Sequence, residues 1–125
     1  MRKDMSDILE KAKKDKDVLA VGIFGSLARK ERHRDIDVCI FLKAKQGNLQ
    51  MSKKKLDYLK GAKNRFDIKI FQQLPIYIRH RILKEGKIIF CANEDALYDL
   101  AHLTVKEFED FKPIYRSYLE AVKHG

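Results

Sequence analysis

Apolar positions recur along this chain in two rhythms, one of three to four residues and one of two, and their alternation sets out the elements. Met5, Ile8, Leu9 and Ala12 step at helical spacing and predict an amphipathic helix over 4–14, with Lys11, Lys13 and Lys14 facing water. Val18 to Phe24 is almost continuously apolar and β-rich and stops at Gly25, as expected of a central, buried strand feeding a turn. Leu27 to Arg32 reads as a short helix. From Asp35 to Leu42 the pattern alternates strictly, with Ile36, Val38, Ile40 and Leu42 on one face and Asp35, Asp37, Cys39 and Phe41 on the other. Gln46-Gly47-Asn48 marks a turn before a helix with Leu49, Leu56 and Leu59 on its apolar side, ending at Gly61. Arg65 to Phe71 is a third strand, with Phe66, Ile68 and Ile70 inward and Asp67 on the opposite face. Pro75 suits the first turn of a helix through Leu83 that closes at Gly86, and Lys87 to Cys91 makes a short fourth strand. Asn93 is a good N-cap for a stripe running Leu97, Ala101, Val105, Phe108, Phe111, Tyr115, Leu119 and Val122, which Pro113 interrupts. Two helical pieces or one kinked helix are expected there, with the stripe packed over the sheet in preference to being offered to a partner. The predicted order is α-β-α-β-α-β-α-β-α.

Length and charge narrow the picture. With 125 residues, a single domain over 1–125 with one core is expected. Its 27 basic and 18 acidic side chains give a formal charge of +9, which favours polyanionic partners: nucleotides, nucleic acid or an acidic protein. Charge does not choose among them. No apolar run approaches the roughly 20 residues that span a bilayer, and the charged N-terminus has no signal-type stretch, so a cytoplasmic protein without membrane contact is expected. Cys39 and Cys91 both lie in apolar runs, fit no metal-binding spacing and read as two buried free thiols.

Chemistry concentrates in three acids and one turn. Aspartate is disfavoured in strands, and Asp35 and Asp37 on one face repel each other, so the pair calls for a cation or an exposed strand end. Mg²⁺ takes hard oxygen ligands from one or two carboxylates plus substrate phosphates, a demand that Asp-x-Asp at a strand end meets. An ordinary solvated pair of turn aspartates is the competing reading. Gly25 permits the close backbone approach that a phosphate requires, and the Ser26 hydroxyl and the following amides can donate to phosphate oxygens; a plain strand-to-helix turn capped by serine is the alternative. Asp67 stands between Arg65 and Lys69, where an edge strand would tolerate it by ion pairing. Should the third strand instead lie beside the second, Asp67 joins Asp35 and Asp37 to give a site for two metal ions that serves in-line attack on an α-phosphorus.

Phe24-Gly25-Ser26-Leu27-Ala28-Arg29, then Asp35-Ile36-Asp37-Val38, then Phe66-Asp67-Ile68 resembles the minimal nucleotidyltransferases of the DNA polymerase β superfamily, the MNT or MntA-type antitoxins. The resemblance covers residues 18 to 71 by motif and extends loosely through the C-terminal helices. It implies an α/β (α+β) fold, a small mixed sheet flanked by helices with C-terminal helices beyond. It also implies Mg²⁺ as cofactor, with two ions, and ATP as donor. Gly25 and Ser26 match the phosphate-loop pair, Asp35 and Asp37 the metal ligands, and Asp67 the third carboxylate. Such proteins are paired with a HEPN-domain ribonuclease toxin and silence it by attaching AMP to a tyrosine. No HEPN-like half is expected here, so the toxin would be a separate chain from a neighbouring gene, in a homo- or hetero-oligomer, docked on the C-terminal stripe and the basic surface. The eight residues between Ser26 and Asp35 make a loop shorter and more basic than the family's usual one, with Arg34 where serine is frequent. Arg29, beside Ser26, is the candidate cation for the triphosphate.

Two rivals stand beside this reading. One is an idle antitoxin acting by contact alone; the other is nucleotidyl transfer to a small molecule or RNA. Direct nucleic-acid binding is not expected as the main role. His33, His80, His102 and His124 share no metal spacing. Lys53-Lys54-Lys55 reads as a solvated helix face, and Tyr77, Tyr98, Tyr115 and Tyr118 as amphipathic core residues.

Overall fold

The computed structural model describes residues 2–24, 36–61 and 66–124. Helix α1 (Arg2–Lys14) leads into strand β1 (Val18–Phe24); β2 (Ile36–Leu42), helix α2 (Asn48–Gly61) and β3 (Phe66–Ile70) follow. A 3₁₀ turn at Phe71–Gln73 then joins α3 (Ile76–Glu85), β4 (Lys87–Cys91) and α4 (Glu94–His124). The expected helix at Leu27–Arg32 lies outside the described residues.

The four strands form one mixed sheet in the order β3-β2-β1-β4. β1 is antiparallel to both β2 and β4, and β2 is parallel to β3, the connection between those two carrying α2. The near-continuous apolarity of β1 follows from its place: it has a strand on either side and a helical layer over each face. One layer is α1 and α2, whose Ile8, Ala12, Met51 and Tyr58 pack on Val21, Val38, Ile40, Leu42, Ile68 and Ile70. Opposite them, Leu19, Ala20, Cys39 and Phe41 meet Phe71, Ile82 and, from α4, Ala96, Leu97 and Leu100. The register of β1 on β2 shifts between Val18 and Ala20, and that bulge lets consecutive Leu19 and Ala20 serve the same layer. Phe41 and Phe71 stack with centroids 4.5 Å apart at the centre of this second core.

Several side chains depart from the periodicity reading. α2 buries Met51 and Tyr58, while Leu49 and Leu56 are exposed. Lys54 is not solvated: its ammonium lies 2.9 Å from Asp15 Oδ2 and 3.1 Å from Asp17 Oδ2, and the Tyr58 hydroxyl donates to Asp15 at 3.0 Å. This cluster pins the α1–β1 turn to α2. Burial alone would raise the Asp15 carboxyl, but hydrogen bonds from Lys54, the Asp17 amide and Tyr58 outweigh it and hold Asp15 below the usual carboxylate range. Burial pushes the Tyr58 hydroxyl up, reinforced by the Asp15 charge.

α4 is one helix of 31 residues with Pro113 inside it, not two pieces. Its first half packs on the sheet and, antiparallel, on α3. In its second half Phe111 and Tyr115 still stack on Tyr77 of α3, but at the end of the stripe Leu119 is 45% and Val122 63% exposed, so the expectation that the whole stripe is core fails there; Ile114 and Tyr118, outside the stripe, are 68% and 64% exposed. Tyr77 and Tyr98 are likewise exposed, and the aromatic hydroxyl that the core does bury is that of Tyr58. Cys39 is buried and Cys91 half-buried, both free thiols. Among the described residues no helix is long and apolar enough to cross a membrane.

Candidate active site

The parallel pairing of β2 and β3 decides how the acids stand to one another. Ile36 is opposite Phe66, Val38 opposite Ile68, and between those rows Asp37 is opposite Asp67. The two backbones at that row are therefore one strand spacing apart, about 4.8 Å. Ile36, Val38, Phe66 and Ile68 all turn toward α1 and α2, so strand alternation sends both aspartates to the other face. They stand where β2 and β3 begin, and both are half-exposed, whereas Cys39 and Phe41 further along the same face are fully buried.

The third strand of this row is β1. Phe24, its last residue, is the antiparallel partner of Asp37, so Phe24, Asp37 and Asp67 lie side by side across three strands. The chain leaves that row directly into Gly25-Ser26. Gly25, Ser26, Arg29 and Asp35 lie outside the described residues, so the structure brings together Asp37 and Asp67 and is silent on the other four. No cluster of three metal-ligating side chains occurs among the described residues.

Lys69, two residues on along β3, reaches Asp67 Oδ2 at 3.7 Å. Both readings of Asp67 are thus realised at once: it sits on an edge strand beside a lysine, and it faces the second strand's aspartate. A contact of that length from a half-exposed ammonium is weak compensation for the Asp67 carboxylate. Two half-exposed carboxylates at the end of a parallel strand pair are donors that suit Mg²⁺, which takes oxygen ligands and retains water. The donor set fits the ion.

Residues 6–95 match the family described as "Polymerase beta, Nucleotidyltransferase". The chain belongs to that family and has a mixed-sheet, polymerase-β-like fold. A Methanocaldococcus jannaschii protein named "putative protein adenylyltransferase" is 35% identical over 75 residues, 58% of this chain and 56% of that protein. The chain thus matches little more than half the length of that relative. Two solved structures show the same fold along almost the whole chain. One is a chain of a toxin-antitoxin crystal structure with AMP-PNP, at a TM-score of 0.71, 15% identity and 97% coverage of each chain. The other comes from the Shewanella oneidensis complex of a tri-AMPylated HEPN toxin with MNT antitoxin, at a TM-score of 0.71 and 12% identity, covering 97% of this chain and 94% of that one.

Sequence reasoning passed over one further surface. His80, Tyr77, Phe108, Phe111 and Tyr115 form a run of stacked rings along α3 and α4, beside Arg81, Lys84 and Lys112. The stripe 108, 111, 115 carries the signal, but helical spacing alone does not distinguish a face on the sheet from one on α3.

Proposed function

We propose that this chain is the antitoxin of a toxin-antitoxin pair and transfers AMP from ATP, with Mg²⁺, to a tyrosine of a separate HEPN toxin chain. Family membership supplies the reaction class, and the opposition of Asp37 and Asp67 across β2 and β3 carries the reading to this chain's own residues. The name of the Methanocaldococcus relative and the contents of the Shewanella complex support protein as acceptor and HEPN toxin as partner. The AMP-PNP structure supports ATP as donor.

In this reading Asp35, Asp37 and Asp67 hold Mg²⁺, and Gly25, Ser26 and Arg29 hold the triphosphate. Bound there, Mg²⁺ neutralises phosphate charge and lowers the pKa of the attacking hydroxyl. Asp67 lies toward the acceptor, on the edge strand, and its carboxylate receives the tyrosine proton. The phenolic oxygen forms a bond to the α-phosphorus, the bond from that phosphorus to the bridging oxygen breaks, and pyrophosphate leaves with the electron pair. Asp67 then returns its proton to water. The exposed face of the second half of α4, with Ile114, Tyr118 and Val122, is the proposed docking surface for the toxin.

That same exposed face favours one alternative, neutralisation by contact without transfer. Incubation with α-labelled ATP, Mg²⁺ and the product of the neighbouring gene separates the two. We expect label on the partner's tyrosine with wild type and at least about a hundredfold less with Asp37→Ala or Asp67→Ala. Equal neutralisation by wild type and both variants, without label, would replace transfer by contact.

A further inference from the structure

Beyond the nucleotidyl site, the groove between α3 and α4 has a composition that packing does not require. It encloses about 520 Å³. Its floor is aromatic: Tyr77 and Tyr115 stack nearly parallel, 6° apart with centroids at 5.7 Å, and His80 lies 3.8 Å over Phe108, while Phe111, outside the lining, stacks against both tyrosines. Tyr77 is nevertheless 43% exposed, so part of this ring surface faces water.

Cations edge the rings. Arg81 and Lys84 line the groove from α3 and Lys112 from α4. Glu85 is the only carboxylate among the lining residues, and its one ion pair there is a 3.9 Å contact with Arg81. Arg79, by contrast, is committed to the fold: it donates to both oxygens of Glu107 at 3.2 and 2.9 Å and to the Leu74 carbonyl. The groove therefore carries a surplus of positive charge on a chain of net charge +9.

We propose that this groove binds single-stranded nucleic acid, with bases stacked on the Tyr77–Tyr115 ring surface and phosphates held by Arg81, Lys84 and Lys112. Exposed aromatic faces accept any base, and flanking cations track the backbone; the combination is what sequence-tolerant single-strand binding requires. A partner helix lays an apolar face into a hydrophobic groove, whereas this one is lined by three cations, and Ile78 is the only aliphatic residue among its lining. The aliphatic positions of this region, Ile114, Leu119 and Val122, lie on α4 outside the groove lining and form a separate surface.

Fluorescence anisotropy with a labelled uridine dodecamer and a deoxythymidine dodecamer tests this. Wild type should bind at least one of them, with affinity falling as salt rises at a log–log slope of about −2, the value for three phosphate contacts on a single strand. Tyr115→Ala should weaken binding at least about fivefold, the low end for loss of one stacked base. Lys84→Gln and Lys112→Gln should each flatten the slope by about 0.7. Lys53→Gln on α2 and Asp67→Asn in the nucleotidyl site should bind as wild type does, which keeps this inference independent of the proposed transfer. Circular dichroism melts confirm that each variant is folded, and the two lysine variants, being at the surface, serve where the tyrosine change disturbs packing. Three results overturn the proposal: no binding of either oligonucleotide, binding indifferent to all three groove variants, or displacement by poly-glutamate as effective as by unlabelled oligonucleotide. The last would make an acidic protein the ligand.

Discussion

Asp15 shows how much one residue can decide at the margin of this fold. Its carboxylate is 15% exposed and gathers the Lys54 ammonium, the Tyr58 hydroxyl and the Asp17 amide. Asn in its place keeps the shape and loses the charge, and should lower stability at neutral pH by roughly 1.5–3 kcal/mol, the range for hydrogen bonds to a charged group. The folded-state pKa of Asp15 is depressed, so its contribution is complete above the ordinary carboxylate value of 3.8 and is lost as pH falls through the lower folded value. Urea titrations of wild type and Asp15→Asn should therefore converge in strong acid; a gap as wide there as at neutral pH would rule out the charge as its source. Lys54 runs the other way. Its pKa is raised in the folded state, against a burial cost that alone would lower it, so its contribution persists through neutral pH and fades in alkali. None of this was legible locally, because three consecutive lysines look alike and the partner of Lys54 is 39 residues away. The candidate site divides in the same way. Strand alternation puts Asp37 on a definite face with no knowledge of neighbours, but the meeting of Asp67 with it depends on which strands pair and in what register.

At the scale of elements, long periodic segments were readable and their ends nearly so. β1 and β4 run as predicted, α3 sits between Pro75 and Gly86, and the third strand ends at Ile70, one residue short of the expected Phe71, because Phe71 turns into the second core as a 3₁₀ turn begins. The exposed half of α4 was misjudged because periodicity reports an apolar face and not what covers it. α4 extends past the short α3, whose Tyr77 reaches as far as Tyr115, and Tyr118, Leu119 and Val122 lie on the extension. Pro113 stands close to that boundary. It lacks the amide that would bond back to the preceding turn, and an interior proline costs a helix about 3 kcal/mol relative to alanine. Pro113→Ala should thus slow hydrogen exchange of the last turns of α4 by on the order of tenfold or more, while the melting temperature moves by no more than a few degrees, since the helix half in contact with the sheet precedes it. Unchanged exchange beyond residue 113 would mean that the proline does not set the stability of this extension.

The whole molecule is a mixed sheet with two helical layers, and its polar work is done at the margins of that sheet. The acids occupy the beginning of β2 and β3, the proposed toxin surface lies on the far half of α4, and the aromatic groove lies between α3 and α4 on the sheet's second layer. What ties the account to nucleotidyl transfer is the claim that Asp37 and Asp67 hold a divalent ion jointly beside the triphosphate. Calorimetric titration with Mn²⁺ and AMP-PNP tests it on wild type, Asp37→Asn, Asp67→Asn and the double variant. Each single change should leave the melting temperature within a few degrees of wild type and weaken metal–nucleotide binding at least about tenfold, with the double variant losing little more than either single one, as for groups acting as a unit. Binding by Asp67→Asn as tight as wild type would contradict the joint site.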